Sequence, residues 1–309
     1  MSARHEPVLV AETLAHLCRG AGLYLDATLG DGGHAEALLD AEPGARLLGT
    51  DRDPAALAFA RGRLARFGDR VTLAHATFRE VPEAHARAGG EPLAGALLDL
   101  GVSSRQLDDP ARGMSFQDEG PLDLRMDPSR GAPASERLRD TDETTLAAVL
   151  REHGDVRGAT RLARALIEAA RRGTLPTTRA LAEVVDRASG GPPHPRRRAQ
   201  VFQALRMWVN EEAEELEAML AWLPDAMRDG GVVVTLAYHS GEDRRIKRAL
   251  RGPEPDPGTR RLRRFVDVRP PEGPWEVLTR RVVTPSAEET RRNPRARSAR
   301  LRAFRRRPR

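Results

Sequence analysis

The chain has 309 residues, 39% of them hydrophobic and 31% charged, with a single cysteine, Cys18; this balance suits a folded globular protein and excludes an internal disulfide or a thiolate metal cluster. Apolar runs such as Val232 to Val234 are far too short to cross a bilayer, and the first residues lead into no apolar secretory segment, so a cytoplasmic protein without membrane contact is expected. The net charge is +6, yet residues 291–309 hold ten arginines and no acid, which leaves about −4 for residues 1–290. With the cluster Arg260-Arg261-Leu262-Arg263-Arg264, this local excess reads as either a phosphate-binding tail or a merely solvated one.

In chain order, Leu23-Tyr24-Leu25 predicts a first strand ending at Asp26, followed by a glycine-rich turn and a helix from about His34. Arg46 to Thr50 predicts a second strand ending at Asp51, and Asp53-Pro54 opens the next helix, with proline at a tolerated first-turn position. Val71-Thr72-Leu73 and Gly95 to Leu98 are the next strands. Alternating strands and helices predict a parallel sheet wrapped by helices. Residues 101–133 read as a long structured loop, and residues 134–223 as helices only. Thr141 and Thr177 are expected caps, and one long helix is expected from about Arg197 through Leu205, Val209, Leu216 and Leu220. Strand signals return at Gly231 to Leu236 and Trp275 to Thr279. A sheet that stops and restarts around a helical block implies an inserted domain. The expected division is 1–108, first part of the sheet domain; 109–215, helical substrate-recognition insert; 216–290, second part; and 291–309, basic tail.

The turn Asp26-Ala27-Thr28-Leu29-Gly30-Asp31-Gly32-Gly33-His34 stands where glycines allow a tight bend and close approach of a ligand to the backbone. Gly30 to Ala35 also satisfies the loose dinucleotide pattern G-x-G-x-x-A, so a nicotinamide cofactor stays open on this ground alone. Asp51 can accept hydrogen bonds from both hydroxyls of a ribose, which serves NAD and S-adenosyl-L-methionine alike. Two features favour the methyl donor. Asp26 precedes the turn in the D-x-x-x-G-x-G arrangement typical of class I methyltransferases, although Thr28 replaces their usual glycine; and Phe78 follows the third strand, where such enzymes set a residue against adenine.

The run Leu97-Leu98-Asp99-Leu100-Gly101-Val102-Ser103-Ser104-Arg105-Gln106-Leu107-Asp108 continues through Gly113 to Phe116 and Gly120 to Pro128. It closely resembles the RsmH (MraW) family, bacterial enzymes that methylate N4 of a cytidine in the decoding region of 16S ribosomal RNA. Further matches are His5-Glu6-Pro7-Val8-Leu9, Asp51-Arg52-Asp53-Pro54, Val201 to Arg206, His239-Ser240 with Glu242-Asp243-Arg244, and Asn293 to Ala299. The resemblance implies an α/β fold, a Rossmann-like class I methyltransferase sheet interrupted by an all-helical insert. It implies cofactor contacts at Gly32, Gly33, His34, Asp51, Phe78, Asp99 and Gln106, with 16S ribosomal RNA as partner, within the small ribosomal subunit. Three departures, Tyr238 for a more usual phenylalanine, Gly241 for leucine and the large Trp208, bear on packing rather than on the reaction.

Methyl transfer to an exocyclic amine needs collinear nucleophile, methyl carbon and sulfur, and an acceptor that draws the lone pair out of conjugation and takes the proton. Asp99, ending the fourth strand, is the candidate for that role, against a purely cofactor-orienting one. The prolines and aromatic of DNA amino-methyltransferases are missing from Asp99-Leu100-Gly101-Val102, so a base stacker is sought at Phe116, Trp208 or Tyr238. His239 and Ser240 are expected to contact substrate or to fix the active-site loop. No metal-ligand spacing occurs and the reaction needs no metal. Oligomeric state stays open, a homodimer included. The rival functions are an NAD(P)-dependent oxidoreductase and a non-catalytic RNA-binding protein; neither explains the stretch from Asp99 to Pro128.

Overall fold

The computed structural model describes residues 7–190, 192–251 and 273–309. His5, Glu6 and the arginine cluster at 260–264 lie outside them. The chain divides into two compact units, Met1–Gly101 with Glu214–Arg309, and Val102–Ala213, against expected boundaries at 108 and 215.

In the first unit, β1 (Gly22–Asp26), β2 (Ala45–Asp51), β3 (Val71–His75), β4 (Leu93–Asp99), β5 (Met227–Ala237), β6 (Trp275–Val277) and β7 (Arg300–Arg306) form one sheet in the order β3-β2-β1-β4-β5-β7-β6. The first five are parallel, and β7 runs antiparallel between β5 and β6. Parallel strands buried on both faces need apolar residues at every position. Accordingly Tyr24 and Leu97 pack on one side of the sheet, and Leu23, Leu25, Ala96 and Leu98 on the other. Helices α1 (Val10–Leu17), α2 (Gly33–Ala41), α3 (Pro54–Leu64) and α4 (Val81–Arg87) connect or flank these strands. Asp53 caps α3 by accepting from the Ala55 N–H, with Pro54 in its first turn. The chain winds outward from β1 to β3 and then returns to place β4 on the other side of β1. The C-terminal ends of β1 and β4 therefore flank a topological switch point, where open α/β sheets bind ligands.

The second unit holds α5 (Ser104–Asp108), α6 (Ala134–Asp140), α7 (Glu143–Gly154), α8 (Ala159–Arg171), α9 (Thr178–Ser189) and α10 (Pro195–Val209). Leu162, Ala163, Leu166, Ile167 and Ala170 recur at helical spacing and bury one face of α8. Thr177 caps α9 as expected, but α7 is capped by Asp142 and not Thr141, because the Asp142 carboxylate reaches the Thr145 N–H.

The single long helix expected from Arg197 is two helices, α10 and α11 (Glu212–Ala226). Glu211 turns left-handed at φ 51°, and buried Asn210 accepts from the Met126 N–H while donating to the carbonyls of Leu124 and Arg206. A continuous helix would forfeit that clamp on the preceding loop. In the first unit α12 (Ser240–Arg251) and α13 (Ala287–Arg292) complete the helices among the described residues.

The basic tail is a second correction. Residues 300–306 are the strand β7, with Leu301, Ala303 and Phe304 fully buried. Its arginines are spent on structure: Arg302 donates to Asp243 on α12 at 2.6 Å, Arg305 pairs with Glu276 at 3.2 Å, and Arg306 donates to the Pro224 carbonyl.

Candidate active site

Three aspartates and one glycine turn gather at the C-terminal edge of β1, β2 and β4. Asp26 ends β1, buried to 3% exposure, and accepts the Thr28 N–H at 3.2 Å. Burial, with the charges of Asp99 and Asp51 nearby, pushes its carboxyl up to about 7, against the bonds it receives from Thr28. Asp51 ends β2; one of its oxygens accepts the Gly30 N–H and the other the Asp53 N–H, both at 2.8 Å. Burial raises it to about 6 in spite of those donors.

Between them the chain bends through Gly30 and Gly32, the latter at φ 77°, a conformation costly to any side-chain-bearing residue. Gly32 caps α2 without a side-chain bond. An uncapped helix start offers N–H groups and the positive end of the helix dipole to an anionic group. Gly33, the next residue, is needed for packing, since a Cβ there would lie 2.8 Å from the Pro7 ring.

Asp99 ends β4. Its N–H donates to the Thr28 hydroxyl at 2.6 Å, so Thr28, just past β1, ties the end of that strand to β4. The Asp99 carboxylate accepts the Tyr238 hydroxyl on Oδ1 at 2.9 Å, and Oδ2 lies 3.7 Å from His34 Nδ1. His34 is buried on α2, its Nε2 2.9 Å from the Val8 carbonyl; a carbonyl only accepts, so Nε2 carries hydrogen and Nδ1 is the nitrogen turned toward Asp99. Tyr238 therefore does more than alter packing, the consequence expected of that departure. No side chain in the local motif around Asp99 foretold this contact; the only signal was a phenol just past the fifth strand.

Phe78 follows β3 in a short 3-10 turn (Phe78–Glu80), half-buried against the core. His239 turns inward on its own loop: Nδ1 accepts the Gly241 N–H at 3.2 Å, and Nε2 lies 3.1 Å from the Glu242 carboxylate. Ser240, the first residue of α12, is exposed. Gln106 belongs to the helical unit, where its side-chain oxygen accepts the Ser103 N–H while its own N–H donates to the Ser103 hydroxyl, a reciprocal capping box at the start of α5. The other candidate stackers also lie in that unit. Phe116 packs edge-on against Phe202 at 5.6 Å, and the Arg137 guanidinium covers Trp208 at 4.6 Å. Among the described residues no group of three His, Cys, Asp or Glu side chains is placed to hold a metal, and no helix is long and apolar enough to cross a membrane.

The profile of the MraW methylase family matches residues 2–307. A protein of Sorangium cellulosum named ribosomal RNA small subunit methyltransferase H is 47% identical, across 98% of this chain and 91% of its own. One of the same name from Oleidesulfovibrio alaskensis is 45% identical, across 97% and 94%. Among solved structures, an rRNA methylase from Streptococcus thermophilus superposes with a TM-score of 0.40 at 10% identity, across 96% of this chain and 93% of that one.

Proposed function

The chain belongs to the MraW methylase family, and from that membership we propose that it transfers a methyl group from S-adenosylmethionine to the exocyclic N4 of a cytidine in the decoding region of 16S ribosomal RNA. It is an S-adenosylmethionine-dependent methyltransferase of ribosomal RNA; the oxidoreductase and the non-catalytic RNA-binding readings have no support from its relatives. The observation that carries the finer reading is the convergence at one sheet edge of an uncapped helix start, the Asp51 carboxylate and the oriented Asp99 carboxylate.

These residues fit the cofactor's chemistry. The N–H groups at the start of α2, at Gly33 and His34 beyond Gly32, receive its carboxylate. Each Asp51 oxygen holds one backbone donor and keeps a lone pair for a ribose hydroxyl. Phe78 supplies an apolar wall for adenine. When bound, the cofactor supplies a sulfonium-activated methyl group.

Asp99 accepts a hydrogen bond from the cytosine amine, drawing its lone pair out of the ring's conjugation, and takes the proton released as the N–C bond forms. His239 works by fixing the loop, because its ring nitrogens face that loop's own groups, and Ser240 is the residue exposed to RNA. Residues 300–306 of the expected tail belong to the sheet as β7, but Arg291 and Arg297 before it are exposed, and they share the gripping of phosphate with Arg157, Arg161 and Arg196, exposed arginines of the helical unit; binding weakens steeply with salt. The test is transfer of labelled methyl to small-subunit RNA followed by nucleoside analysis, with Asp99→Ala and Asp51→Ala as controls. Label on N4 of cytidine, lost in Asp99→Ala, is expected; label on a ring carbon, or binding of NAD in place of the methyl donor, refutes the reading.

A further inference from the structure

We propose that Tyr238 is a positioning residue for methyl transfer: its hydroxyl selects the rotamer of the Asp99 carboxylate and so sets which oxygen meets the substrate amine. This rests on the reading of Asp99 as the amine's acceptor. The terminal torsion of an aspartate is broad and nearly two-fold, so a main-chain anchor alone leaves the two oxygens interchangeable. Thr28 supplies that anchor through the Asp99 N–H. Tyr238 removes the remaining freedom by donating to Oδ1 at 2.9 Å, which leaves Oδ2 on the side of α2, 3.7 Å from His34 Nδ1.

The phenol is itself held. The Tyr238 N–H donates to the Glu242 carboxylate at 2.8 Å, and the ring packs against the core beneath β5. It lies close to Gly101, where an added Cβ would stand 3.7 Å from ring atom Cδ2. Burial, with the negative charges of Asp99, Glu242 and Glu289 around it, drives its ionisation far above the ordinary phenol range, so it stays a donor at every working pH. A phenylalanine fills the same space and loses only the donor.

The experiment is Tyr238→Phe in the full chain, measured for kcat, RNA KM, methyl-donor affinity by calorimetry, melting temperature and the pH profile of kcat, beside Asp99→Ala. Among the groups facing Asp99 are Tyr238 past β5, His34 on α2 and Asp26 on β1. The expected result is a kcat lower by roughly 10- to 100-fold, the loss of one charge-assisted hydrogen bond, with KM, donor affinity and melting temperature unchanged. The acid limb of the profile moves to higher pH, since a carboxylate that loses a donor holds its proton more tightly. A kcat equal to wild type overturns the proposal, as does a donor affinity that falls in step with kcat, which would make Tyr238 a wall of the cofactor pocket. If Asp99→Ala turns over normally, the acceptor reading itself falls; if it is inactive while Tyr238→Phe is not, only the positioning role does.

Discussion

Asp26 is isolated from water at the end of β1, and its carboxyl titrates at about 7 in place of 3.8. Between those two values the folded protein binds a proton that the unfolded chain has released, so folding stability falls as pH rises through the interval. The interval spans about three pH units at ~1.4 kcal/mol each, or ~4 kcal/mol of destabilisation fully expressed above pH 7 and absent below pH 4. Asp26→Asn keeps the shape and the acceptor for the Thr28 N–H and removes the ionisation. The variant should match wild type near pH 4 and exceed it increasingly toward pH 8. At ~2–4 °C per kcal/mol for a unit of this size, the gain at pH 8 is on the order of 10 °C. Thermal unfolding of both proteins across pH 4–8.5, without cofactor, measures it. A difference in melting temperature that does not change with pH, or one that shrinks toward pH 8, refutes the reasoning.

Asp51 titrates at about 6, and a ribose hydroxyl donates best to its ionised form. Methyl-donor affinity should therefore fall by up to tenfold per pH unit below about pH 6, and calorimetry on Asp51→Asn should show weak binding with that slope gone. Asp243 is paired with Arg302 at 2.6 Å, with Lys247 at 3.4 Å and Arg300 at 3.8 Å as further partners. Arg302→Ala leaves the carboxylate two cations, whereas Asp243→Ala strands a buried guanidinium. By denaturant titration the second should cost ~3–5 kcal/mol and the first distinctly less. Asn210→Ala leaves the Met126 N–H and the Leu124 carbonyl without the partners they have in the buried clamp, at ~1–3 kcal/mol for each orphaned group. Loss of secondary structure confined to the helical unit, followed by hydrogen exchange, checks it.

Much of the sheet was legible because parallel strands buried on both faces are written as apolar runs, and three of them, β1, β2 and β4, end at the acid that marks their C-terminal edge. Asp26, Asp51 and Asp99 all sit where that pattern puts them. The interruption by a helical block was legible too, from the change of period after Asp99. Charge was a poorer guide. Ten arginines without an acid look like a tail when composition is read alone, although Leu301 and Ala303 alternate with arginines at the period of a strand. The break at Asn210 was hidden because apolar spacing continues across it, and only a side chain clamping a distant loop shows that the helix must stop.

The chain by itself determined the alternating strands and helices of the parallel part of the sheet and the carboxylates at three strand ends, and with its long motifs the family, because these depend on residues close in sequence. Tertiary structure alone decided which groups meet at Asp99: Thr28 lies 71 positions away and Tyr238 139. It also decided that Arg302 is a buried partner of Asp243, 59 positions distant, and that β7 enters the sheet between β5 and β6. A hydrogen bond or an ion pair acts over about 3 Å of space with no regard to chain separation, so its partners exist only once the sheet has brought them together.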